Sequence, residues 1–138
     1  MKIGTSVSMR MLAMLALVVP LSGLANETIH VELADDSIRL DTETAKAGHV
    51  TFEVNNRATS NTVHEFVVLR TDTDEARLPV HNGQVTESRF RKMGEVENLQ
   101  RDSVKRLSLN LSPGRYVLIC NRPGHYAMGM HKSLLIVH

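Results

Sequence analysis

Apolar residues fall along this chain in two patterns: one unbroken run near the start, then a repeated alternation with a period of two. Met11 to Val19 form the run. From Thr28 onward the alternation predicts strands. Thr28 to Leu33 is one, and Ser37 to Leu40 is a short one after an Asp35-Asp36 turn. His49 to Val54 places Val50, Phe52 and Val54 on one face, and Asn55-Asn56 ends it. Val63 to Leu69 is dense in β-branched and aromatic residues, as a strand buried on both faces would be. Ser103 to Leu111 turns Leu107, Leu109 and Leu111 inward, and Ser112-Pro-Gly114 returns the chain into a strand over 115–120. His131 to Val137 is the last strand. About seven short strands joined by turns predict an all-β fold, a Greek-key sandwich of two sheets. Between them, Thr71 to Asp102 is polar and reads as a solvated connecting loop, with one or two helical turns over 84–92.

The first run is a targeting segment. Lys2 and Arg10 precede it, Pro20 breaks it, and Ser22-Gly-Leu-Ala25 supplies small residues for cleavage. It is too short to span a bilayer. Residues 1–25 are therefore predicted as a signal peptide and 26–138 as one domain. Removing the peptide takes away two basic residues and no acid, leaving 14 basic and 15 acidic side chains and a formal charge of −1. That balance gives no basic field for nucleic acid.

Export places the chain in an oxidising space, where one cysteine cannot form an internal bridge. A free thiol there needs burial or a bond to something else. Cys120 ends a strand in the stretch Cys120-Asn-Arg-Pro-Gly-His125-Tyr-Ala-Met-Gly-Met130. Pro123-Gly124 turns the backbone before His125, and Gly129 frees it before Met130. A thiolate, an imidazole and a thioether at loop spacing are the soft donors that copper selects. A second imidazole is needed, and His64, on the strand over 63–69, is the candidate. His30, His49, His81, His131, His138 and Met93 are not assigned to a metal. Zinc fits less well, because structural zinc takes more cysteines and catalytic zinc rarely a thioether.

This stretch resembles the copper loop of the cupredoxins, the type 1 (blue) copper proteins that include plastocyanin, azurin and rusticyanin. The likeness rests on Cys-x4-His-x4-Met with an upstream histidine, and on Pro113-Gly114-x-Tyr116 and Ala47-Gly48-His-Val-Thr-Phe-Glu-Val-Asn55. The resemblance implies one type 1 copper ion, cycling between Cu(I) and Cu(II). It would be held by His64, Cys120 and His125, with Met130 rather than Met128 as weak axial ligand. It also implies that the Glu65 N–H donates to the cysteine sulfur and that Asn61 ties the ligand loops together. Met128 would then join Pro123, Tyr126 and Ala127 in an apolar rim around His125. Tyr116 is expected to bond its hydroxyl back to the preceding turn and pin the sheet corner.

The function expected is a periplasmic electron carrier, monomeric and without stable membrane insertion after signal cleavage. Its partners would be transient redox proteins such as cytochromes or oxidases. The alternative is a periplasmic copper-binding protein for copper tolerance or delivery. An enzyme is not expected. A cysteine nucleophile would need an orienting third group and an oxyanion site, and a copper oxidase would need further histidine clusters. The sequence offers no cue for either.

Overall fold

The computed structural model describes residues 25–138, with side chains from residue 26. The predicted signal peptide lies, but for Ala25, outside the described residues. Among the described residues eleven strands are formed, more than the about seven expected. In chain order they are β1 (Ala25–Leu33), β2 (Ile38–Leu40), β3 (Thr44–Lys46), β4 (Gly48–Asn56), β5 (His64–Arg70) and β6 (Val80–His81). Then come β7 (Gln84–Val85), β8 (Arg91–Leu99), β9 (Val104–Leu111), β10 (Gly114–Ile119) and β11 (His131–Val137).

Two sheets make the sandwich. One has the order β2–β1–β4–β9 and the other β3–β11–β10–β5–β8, with β6–β7 as a separate ribbon. The chain crosses between sheets from β2 to β3. As a result β1 runs parallel to β4, and β3 parallel to β11, while the other pairs are antiparallel.

Alternation explains the inner face. On β4 the buried positions are the predicted Val50, Phe52 and Val54. They meet Phe66, Val68, Leu118 and Leu134 from the facing sheet, and the rings of Phe52 and Phe66 lie 5.4 Å apart at a tilt. Each such side chain contributes about 1.5–3 kcal/mol by leaving water. The expected corner forms: the Tyr116 hydroxyl donates to the Ser112 carbonyl at 2.8 Å.

The segment 71–102 is not a solvated loop. Val67, Leu69, Val117 and Ile119 point out of the five-stranded sheet on its other face. Leu78, Val85, Phe90 and Tyr126 cover them and form a second, smaller core. A strand apolar on both faces needs such a cover. The helical content over 84–92 is one 3-10 turn, Glu87–Arg89, and the segment ends in the nine-residue edge strand β8.

Candidate metal centre

His64 opens β5, and Cys120 directly follows β10. These strands are antiparallel neighbours, with Ile119 opposite Val67, so the two residues meet at one end of the sandwich. The period of two sends His64, Phe66 and Val68 to the same side. The chain after Cys120 winds through turns. The His125 N–H donates to the Arg122 carbonyl and the Met130 N–H to the His125 carbonyl. Met130 then returns beside the cysteine, its carbonyl accepting the Cys120 N–H at 3.1 Å. Gly129 has φ +116°, and a Cβ there would lie 2.9 Å from the Asp36 carbonyl oxygen, so the turn before Met130 needs glycine.

Three donor atoms converge. His64 Nδ1 lies 3.2 Å from His125 Nδ1 and 3.7 Å from Cys120 Sγ, and Sγ lies 3.3 Å from His125 Nδ1. The corners of this triangle are about 2 Å from its centre, the length of a bond from a transition metal to nitrogen or sulfur. His64, Cys120 and Met130 are fully buried, and His125 is partly exposed. The other ring nitrogen of His64, Nε2, is buried with no hydrogen-bond partner among the described residues. A buried ring held on one side only and aimed at another imidazole and a thiol fits a ligand better than a core histidine. Two imidazoles and a sulfur are the donors copper favours over magnesium, calcium or manganese.

Burial sets the protonation of these groups. It lowers the pKa of His64 to about 4, with a further push from His125. It also lowers that of His125, which the Arg122 charge reinforces. The Cys120 thiol is raised, again mainly by burial. At neutral pH both rings are neutral and offer lone pairs, while the thiol keeps its proton until something displaces it. The expected sulfur contact is present: the Glu65 N–H donates to Sγ at 3.3 Å.

Two expectations fail. Asn61 is exposed, and its side chain has no hydrogen-bond partner among the described residues. Three other residues do the tying. Buried Asn56 donates to the Thr62 and Leu99 carbonyls and accepts from the Ala58 N–H. The Asp35 carboxylate holds Thr59 and Ser60 by backbone and hydroxyl hydrogen bonds, which keep its pKa well below the usual range. Asn121, next to the cysteine, accepts the Val85 N–H at 2.7 Å and donates to the Val85 carbonyl and to Glu87. Tyr126 also departs from expectation. It is buried, its hydroxyl accepting from the Leu78 N–H and donating to the Glu75 carbonyl, so the rim around His125 is Pro123, Ala127 and Met128 without it. A nearby carboxylate trio, Glu65, Glu87 and Glu95, already has a cation, because Lys92 Nζ lies 3.0 Å from Glu87 and 2.9 Å from Glu95.

The architecture defines a cupredoxin-like sandwich, and the solved structures similar to this chain agree. Auracyanin from Roseiflexus castenholzii matches with a TM-score of 0.59 and 17% identity, over 84% of this chain and 100% of that one. Auracyanin A from Chloroflexus aurantiacus, described as a "blue" copper protein, matches with a TM-score of 0.53 and 17% identity, over 80% and 99%. Rusticyanin from Thiobacillus ferrooxidans matches with a TM-score of 0.54 and 18% identity, over 82% and 79%. At these identities the likeness establishes the cupredoxin fold. No family model matches the chain, and no curated protein matches it.

Proposed function

We propose that this protein is a mononuclear type 1 copper protein that carries single electrons in the periplasm. The observation that carries the reading is the convergence of His64 Nδ1, His125 Nδ1 and Cys120 Sγ, 3.2 to 3.7 Å apart, from two distant segments. His64, Cys120 and His125 would hold the ion, and Met130, buried beside Cys120, would add a weaker thioether donor. Copper bound there supplies a one-electron change between Cu(I) and Cu(II).

The chain does the rest. Strand ends fix His64 and Cys120, so the donors move little between oxidation states. The Glu65 N–H stabilises negative charge on the sulfur. Burial of His64 and Cys120 keeps water away, and His125 alone reaches toward the surface. Around it Pro123, Ala127 and Met128 are exposed, Met128 by 54%, and offer an apolar patch for brief docking of a redox protein such as a cytochrome or oxidase. The fold shared with auracyanin A, described as a "blue" copper protein, supports the same reading. Export rests on the apolar run of residues 11–19 and the small residues at 22–25. No helix among the described residues is long and apolar enough to cross a membrane.

The test is colour and exchange. Protein loaded with Cu(II) is expected to absorb strongly in the visible by sulfur-to-copper charge transfer, and Cys120→Ser to lose that band. A colourless Cu(II) complex of the unsubstituted protein would remove the type 1 reading. A coloured protein with very slow electron self-exchange would move it from carrying electrons to handling copper.

A further inference from the structure

We infer that an arginine-lined groove at the end of the sandwich remote from Cys120 is a binding site for a phosphate-bearing anion. Three neighbouring strands, β10, β5 and β8, carry Arg115, Arg70 and Arg91 at the same end of the sheet. Adjacent strands lie about 4.8 Å apart, so the three backbone positions span roughly 10 Å. Arg70 and Arg91 are directly opposite in register. Like charges so placed repel and destabilise the pair.

Two more arginines join them. Arg77 and Arg89 line a groove of about 580 Å³ together with Arg70, Arg91 and the polar residues Thr71 and Thr73. An adjoining hollow of about 400 Å³ shares Arg70, Thr71 and Arg91 and adds Arg115. Asp72, exposed at the edge, is the one acid lining either. Among the described residues no carboxylate lies within ion-pair distance of any of the five, whereas Arg39, Arg101, Arg106, Lys92 and Lys132 all have acidic partners. The chain without residues 1–25 has a formal charge of −1, so this concentration of positive charge is local.

The site is partly built in advance. Arg70 donates through Nη2 to the Pro113 carbonyl at 3.0 Å, and its guanidinium lies over the Tyr116 ring. Guanidinium groups are planar forks that match phosphate oxygens two at a time. Hollows of a few hundred Å³ suit small ligands, and a lining of guanidinium and hydroxyl groups selects a charged one. Five cations with a single acid at the edge suit a polyanion. The source of the phosphate is either a free anion such as pyrophosphate or the headgroup of an anionic lipid. The seven residues of β5, rising about 3.3 Å each, put the groove roughly 20 Å from His64. The inference therefore stands apart from the copper reading.

The test is calorimetric titration of the full protein with pyrophosphate, at ionic strength fixed with chloride and in buffer free of other multivalent anions. A parallel arm measures co-sedimentation with vesicles of phosphatidylglycerol and phosphatidylcholine against phosphatidylcholine alone. Saturable one-to-one binding is expected, weakened about tenfold or more in Arg89→Gln and in Arg91→Gln, since one charge-assisted contact is worth about that factor. Both side chains are exposed, and circular dichroism checks that the variants fold. Binding of pyrophosphate without vesicles assigns a free phosphate, and binding of the anionic vesicles assigns a headgroup. Absence of saturable binding in both arms, or equal binding by the variants and the parent protein, overturns the inference.

Discussion

Cys120 keeps its proton in the copper-free protein, and this makes the chemistry of loading measurable. Burial raises the thiol and lowers both imidazoles, so at neutral pH only the thiol has a proton to give up. Metal binding requires deprotonated ligands. Copper binding at pH 7 is expected to release about one proton, read by calorimetry in buffers of different ionisation heat. Log affinity then rises by about one per pH unit from pH 7 to the thiol pKa and flattens above it. Release of two or more protons at pH 7 would mean that the imidazoles are charged in the folded protein. The same residues were legible in the sequence, because Cys120, His125 and Met130 share one loop and Cys120 is the one cysteine of the chain. Asn61 was misread. Its neighbourhood was right, but sequence does not say which polar side chain of a turn points inward, and Asn56, Asp35 and Asn121 took the work.

The elements divide by how regular their pattern is. Strands with a clear alternation were found within a residue or two of their ends, except that β1 begins three residues earlier, at Ala25, and the three-residue β3 is too short to show a period and was missed. Segment 71–102 was misread, for two reasons. β8 buries only Val96 and Leu99 and shows charges elsewhere, as edge strands do, and the register of its pairing shifts twice. The cover over Val67 and Ile119 touches the sheet through scattered residues such as Leu78 and Val85, with no period to read. That cover holds the metal loop. Besides the Asn121 bonds, the Gly124 N–H donates to the Gly83 carbonyl at 2.9 Å, and the Gln84 side chain donates to the Asn121 carbonyl at 2.8 Å. Asn121→Ala strands the buried Val85 N–H and removes two further bonds. It is expected to lower the unfolding free energy of the copper-free protein by about 2–3 kcal/mol in denaturant titration. Tyr126→Phe leaves the Leu78 N–H without its acceptor and is expected to cost about 1–2 kcal/mol. If both variants unfold like the parent, the cover is a passive flap. A faster release of copper from Asn121→Ala, with its visible band unshifted, would place the effect in the cover and not in the ligands.

At the scale of the whole molecule, the question is whether the donors wait for the metal or are gathered by it. Every segment that carries a donor has a tether that involves no ion. β5 and β10 are central strands of the five-stranded sheet, and the turns after Cys120 are fixed by their own backbone bonds and by the cover. The approach to His64 is fixed by Asn56 and Asp35. Two cores, one between the sheets and one under the cover, exist without it. Copper therefore adds stability by mass action, not by organising the chain. Amide spectra of the copper-free and Cu(I) proteins are expected to coincide except near residues 61–66 and 120–131, and unfolding of the copper-free form to stay cooperative. Shifts spreading through β1 and β4, or a copper-free form that melts without a single transition, would show that the ion assembles the site. A prepared site of this kind changes little when its charge changes, and that small rearrangement is the property an electron carrier requires.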